Sequence, residues 1–177
     1  MSSAATVGQR VKAENIKPLI GSRILNSKAE LLSGKLSAEL NAMLEDRAIL
    51  LFPQLNLTDD EQLQFTNVLG GMAREIRGES VFKVSLDESI NDKVAEYLKG
   101  SLYWHIDGTM NKVPIRASML TAKVLSPEGG DTGFANTAAA YDGLDQATKD
   151  KIAELRVVHS LWRSQFYHTP EPTMAQI

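Results

Sequence analysis

A histidine and an aspartate two positions apart, His105 and Asp107 in Trp104-His105-Ile106-Asp107-Gly108-Thr109, are the residues of this chain best suited to chemistry. In an extended strand side chains alternate with period two, so both would project from one side. An imidazole and a carboxylate so placed are two members of a 2-His-1-carboxylate set, which holds non-haem Fe(II) and leaves coordination positions open. A His-x-Asp pair alone is a weak signal, because surface hydrogen bonding is the commoner fate of such residues. Tyr103 and Trp104 strengthen it, since large aromatics beside a site can shield it from water. A second cluster, Gly129-Gly130-Asp131-Thr132, follows a predicted strand. Its glycines permit a tight turn or a close backbone approach, and Thr132 offers a hydroxyl to a ligand carboxylate. Alone, that cluster reads as a plain hairpin turn.

Composition narrows the choices. The chain has no cysteine, which excludes disulfides, thiolate metal sites and cysteine nucleophiles. A metal would therefore need His, Asp or Glu, and the histidines are His105, His159 and His168. A formal net charge of -3 gives no electrostatic case for nucleic acid. At 177 residues, 43% of them hydrophobic, the chain is one domain by length and can bury a core. No apolar run reaches the roughly 20 residues of a membrane-spanning helix. The first residues lack the basic-then-apolar order of a secretory signal. The expectation is a cytoplasmic protein with no membrane partner.

The elements that must position these residues are read from periodicity. Residues 1–15 are polar and unpatterned and are expected to form a mobile tail, with the domain running over 16–177. Ile16 to Leu25 suggests a short strand bent at Pro18 and Gly21. Leu36 to Arg47 carries a helical stripe, and Ala48 to Phe52 reads as a buried strand ended by Pro53. Thr58 and Glu61 form a capping box that opens a helix ended by Gly70-Gly71. Strands are expected over Val81–Leu86, Tyr103–Asp107, Ala117–Leu125 and Arg156–Leu161, with extended chain over Thr132–Asn136. Helices are expected over Thr137–Leu144 and Asp145–Leu155. This order lacks regular strand–helix alternation, so a β-rich α+β fold with flanking helices fits better than a doubly wound sheet.

Taken together, the motifs resemble the TauD/TfdA family of Fe(II)- and 2-oxoglutarate-dependent dioxygenases. The matching residues are Trp104-His105-x-Asp107, then Ala122-Lys123-x-Leu125-x-x-x-Gly129-Gly130-Asp131-Thr132, then Ala138-x-x-Tyr141-x-x-Leu144. Their order and the interval from His105 to Thr132 look like the family's own. Earlier stretches are also similar: Pro18-Leu19-Ile20-Gly21, Ile49-Leu50-Leu51-Phe52, and the helix with Phe65 and Leu69-Gly70. The resemblance implies a double-stranded β-helix (jelly roll) with flanking helices. It implies His105 and Asp107 as iron ligands and Thr132 as a partner of a 2-oxoglutarate carboxylate. Ser101 and Trp104 would face the substrate, a small organic molecule hydroxylated with O2 as 2-oxoglutarate is decarboxylated to succinate. Ser101 stands where sulfonate-specific members place an amide, which disfavours taurine.

The family also carries a distal His ligand and a following Arg for 2-oxoglutarate. Neither fits between Asp107 and Ile177 at the family's spacing. The expectation is a C-terminally truncated family member with the last jelly-roll strands missing and poor activity in isolation. Two alternatives stay open: a compact oxygenase with His159 or His168 as third ligand, and a non-catalytic jelly-roll binding module that keeps part of the metal site. Oligomeric state is not derivable, although the resemblance allows a homo-oligomer.

Overall fold

The computed structural model describes residues 10–72, 81–91, 98, 102–109 and 111–160. It divides into two units. One comprises Met1–Arg74 with Thr121–Ala153, the other Glu75–Leu120 with Glu154–Ile177.

The first unit is built on a small mixed sheet of order β1-β2-β3. Strand β1 (Ala13–Asn15) runs antiparallel to β2 (Ser22–Ile24), pairing Ala13 with Ile24 and Asn15 with Ser22. Strand β3 (Leu50–Leu51) lies parallel to β2, pairing Ser22 with Leu50. The single bent strand expected over 16–25 is instead the loop and second arm of a hairpin, and its first arm lies inside the segment expected to be a mobile tail. Pro18 and Gly21 make the turn. Gly21 sits at φ +81, and a Cβ there would lie 3.3 Å from the Ile16 side chain, which favours glycine. Arg47 then holds the loop: its guanidinium donates to the carbonyls of Lys17 (2.6 Å), Pro18 (3.0 Å) and Gly21 (3.3 Å).

Three helices pack beside this sheet. Helix α1 (Lys28–Leu32) opens with a Ser27/Glu30 capping box that the hydrophobic periodicity did not flag. Helix α2 (Ser37–Arg47) occupies the expected stretch and ends at Ala48, whose φ of 61 is left-handed. Helix α3 (Asp59–Leu69) begins at the expected Thr58/Glu61 box and stops at Gly70. Side chains of α2 satisfy the free carbonyls at the α3 C-terminus. Ser37 Oγ donates to Val68 O at 2.5 Å and Asn41 Nδ2 to Leu69 O at 3.0 Å. Lys28 Nζ meets the Glu61 carboxylate at 2.9 Å and so ties α1 to the α3 cap. The core between these elements is Ile24, Leu31, Leu36, Leu40, Leu57 and Phe65. Phe52 packs edge-on against Phe65 with ring centroids 5.2 Å apart. Two short helices complete the unit: Thr137–Asp142, capped by Asn136, and Gln146–Ile152, capped by Asp145.

In the second unit the described residues hold one short helix, Glu88–Asn91, with Asp87 Oδ1 accepting from the Ser89 amide at 2.9 Å. The strands expected over Val81–Leu86 and Tyr103–Asp107, and over the described part of Arg156–Leu161, are not formed there, nor is the one expected over Ala117–Leu125 across the unit boundary. Alternation of apolar residues specifies which face a strand would bury, but a strand also needs a paired edge. These stretches find no ladder partner among the described residues, and Leu120, Val124, Val157 and Val158 remain exposed. The observed sheet is accordingly smaller than the jelly-roll core expected from the motifs.

The α3 cap makes stability depend on acid. The Glu61 carboxyl is held below the ordinary glutamate range, first by the Thr58 backbone amide and then by the Lys28 ammonium. A lowered native pKa contributes stability above the unfolded value and loses it as pH falls through the native one. Urea unfolding of Glu61→Gln is expected to show a shallower loss of stability than the native chain below about pH 4.3, the ordinary glutamate pKa. Parallel acid profiles for the two would contradict this.

Candidate metal centre

His105 and Asp107 do come together, although neither lies in a paired strand. Residues 107–109 form the turn that follows His105. His105 Nε2 lies 3.4 Å from Asp107 Oδ1, with both side chains about half exposed, at 51% and 54%. The other ring nitrogen, Nδ1, is 2.7 Å from the carbonyl oxygen of Tyr103. A carbonyl oxygen only accepts, so Nδ1 must carry the proton and donate. In the neutral ring, Nε2 then presents its lone pair to a carboxylate oxygen that also carries lone pairs. Two acceptors so placed repel unless a proton or a cation lies between them.

These residues fit a divalent metal. Imidazole and carboxylate donors each lie about 2.0–2.2 Å from a bound ion, so two donors to one ion can be at most roughly 4.4 Å apart. The observed separation is inside that bound. A backbone carbonyl on the second ring nitrogen is the usual device for orienting a metal-binding histidine. The carboxylate is oriented too: the Ser118 hydroxyl donates to Asp107 Oδ2 at 2.6 Å, leaving Oδ1 toward the imidazole. Gly108 follows Asp107 in the turn at 107–109. Its φ is +64, and a Cβ there would fall 2.6 Å from Ile115 Cδ1 and 3.0 Å from Asn111 Nδ2.

Thr132 belongs to the first unit and is exposed. The preceding turn runs through two consecutive left-handed glycines, Gly129 (φ 67) and Gly130 (φ 77). The segment is tied down on both sides. Lys123 Nζ donates to Leu57 O at 2.7 Å and pairs with Asp59 Oδ1 at 3.2 Å, at the start of α3. Asn136 Nδ2 donates to Leu19 O at 2.8 Å in the hairpin loop, while its Oδ1 caps the following helix.

The structure therefore joins His105 with Asp107 and builds a separate anchored turn for Thr132. Among the described residues no three His, Asp or Glu side chains converge, so His159 does not complete a metal cluster there. Ser101 and His168 lie outside the described residues. Trp104 is 77% exposed and so does not supply the shielding expected of it. Two contributors were missed from sequence: the Tyr103 carbonyl, which no side-chain pattern reveals, and Ser118. The hydroxyl of Ser118 inside the apolar run Ala117-Ser118-Met119-Leu120 was the available signal.

The chain belongs to the taurine catabolism dioxygenase TauD, TfdA family, whose model matches residues 12–176. It is 35% identical over 133 residues to the (S)-phenoxypropionate/alpha-ketoglutarate-dioxygenase of Sphingobium herbicidovorans, covering 72% of this chain and 45% of that protein. It is 31% identical over 176 residues to the alpha-ketoglutarate-dependent 2,4-dichlorophenoxyacetate dioxygenase of Burkholderia sp. (strain RASC), covering 88% and 58%. The crystal structure of AAD-2 in complex with Mn(II) and N-oxalylglycine matches with a TM-score of 0.74 and 26% identity over 94% of this chain and 59% of that one. The fold is thus TauD-like, and the chain spans about half the length of the relatives it matches.

Gly108→Ala tests the turn. It is expected to destabilise the protein more than Gly129→Ala, where the φ is similar but nothing lies within 4 Å of the added methyl. Left-handed strain of about 1–2 kcal/mol is common to both. Adding Ile115→Ala to Gly108→Ala should recover the excess. Equal losses in urea unfolding would show that the Ile115 contact does not matter.

Proposed function

We propose that this chain supplies the His-x-Asp part of an Fe(II)- and 2-oxoglutarate-dependent dioxygenase acting on a small organic acid. The observation that supports this most is the oriented pair: His105 Nε2 beside a carboxylate oxygen of Asp107, in a chain of this family. Iron, when bound, supplies O2 activation coupled to decarboxylation of 2-oxoglutarate to succinate. The chain's own part is positional. His105 and Asp107 hold the metal, the Tyr103 carbonyl fixes the imidazole tautomer, and Ser118 fixes the carboxylate. Thr132, on its anchored turn, donates its hydroxyl to a 2-oxoglutarate carboxylate. Ser101 and Trp104, both preceding the pair in sequence, contribute to the substrate side. The two relatives described above carry phenoxyalkanoate names, which favours an aryloxyalkanoic acid as substrate class.

The test is an anaerobic titration of the protein with Fe(II) and 2-oxoglutarate, following the visible metal-to-ligand charge-transfer band of the chelate. The band is expected in the native chain and lost in His105→Ala. In Thr132→Ala it should demand a higher 2-oxoglutarate concentration, about five- to tenfold, the loss of one hydrogen bond. Phenoxyacetate should perturb the band and taurine should not. A native chain that develops no band holds an incomplete cosubstrate site, and a band that persists unchanged in His105→Ala sinks the reading.

A further inference from the structure

Ser118 is a hydroxyl that neither the family motif nor the metal pair itself calls for. It sits eleven positions beyond Asp107 in sequence and donates to that carboxylate at 2.6 Å, a short charge-assisted bond. The bond falls on Oδ2, while Oδ1 faces His105 Nε2 at 3.4 Å. The two oxygens of one carboxylate are therefore given different tasks. A carboxylate with both oxygens free can bind a metal through either one or through both. Taking both would consume a position that the metal needs for cosubstrate.

We infer that Ser118 is a positioning residue that holds Asp107 to single-oxygen ligation and so keeps one coordination position open. The inference rests on the reading of His105 and Asp107 as metal ligands. The physical ground is competition. With Oδ2 engaged by a hydroxyl, a metal at Oδ1 could gain the second oxygen only by breaking that bond. Outer hydrogen bonds of this kind typically change metal affinity ten- to hundredfold when removed.

Mn(II) is a suitable probe, because its paramagnetism reports both affinity and the number of bound waters through proton relaxation. Ser118→Ala is expected to weaken Mn(II) binding about tenfold or more and to lower the count of exchangeable waters by about one. Ser118→Thr should restore both. Ser118→Val, equal in shape to the Thr variant but lacking the hydroxyl, should behave like the Ala variant and separates hydrogen bonding from packing. Circular dichroism confirms that each variant is folded. If the native chain binds Mn(II) through His105, but the Ala and Val variants keep native affinity and hydration, the role of Ser118 is overturned while the metal pair stands. If the native chain shows no Mn(II) binding that His105→Ala removes, the metal reading falls and this inference with it.

Discussion

His105 Nε2 and Asp107 Oδ1 lie 3.4 Å apart, a contact that is favourable when a proton or a cation sits between the two atoms. Its neighbours make the contact specific. The Tyr103 carbonyl accepts from Nδ1, the Ser118 hydroxyl donates to Oδ2, and Gly108 allows the tight turn that follows Asp107. The first two of these contacts each orient one member of the pair. What remains is a half-exposed pair of donors, which under the proposed function would hold a cation with further positions to fill.

The first unit meets a different demand, that of holding an irregular segment still. A turn with two left-handed glycines has few internal hydrogen bonds with which to define itself, so its placement must come from outside. Lys123 and Asn136 provide this by reaching to backbone carbonyls of Leu57 and Leu19. Those carbonyls are themselves immobilised, Leu57 by burial next to the α3 cap and Leu19 within the loop clamped by Arg47. Precision at Thr132 thus traces back to the buried contacts among Leu31, Leu40 and Phe65 that fix α1, α2 and α3. Full burial of a Phe or Leu side chain is worth about 1.5–3 kcal/mol, so this small core is a credible anchor for the turn.

Legibility in the sequence followed the range of the interaction. The Thr58/Glu61 box, the α2 stripe and the Gly70 stop are local signals, and all three sit where expected. The hairpin arm Ala13–Asn15 has no hydrophobic alternation of its own and is a strand because β2 pairs with it, which no local pattern encodes. The reverse error occurred over Val81–Leu86 and Tyr103–Asp107, where alternation is present but the pairing edge is not, among the described residues. His105 and Asp107 do lie side by side, as their spacing suggested, but without the expected strand. Period-two spacing suggested a strand; neither residue lies in one, and a turn begins at Asp107. Ser118 escaped because a hydroxyl acquires a role only when the fold delivers a carboxylate to it.

The central claim is that His105 and Asp107 jointly hold one divalent metal. X-ray absorption at the iron K-edge of the anaerobic Fe(II)-loaded protein tests it most directly, because imidazole ligands give a distinct outer-shell scattering pattern. The account predicts imidazole scattering in the native protein, reduced in His105→Ala and accompanied by loss of a short oxygen ligand in Asp107→Ala. An iron spectrum identical in the native protein and both variants would place the metal elsewhere and contradict it.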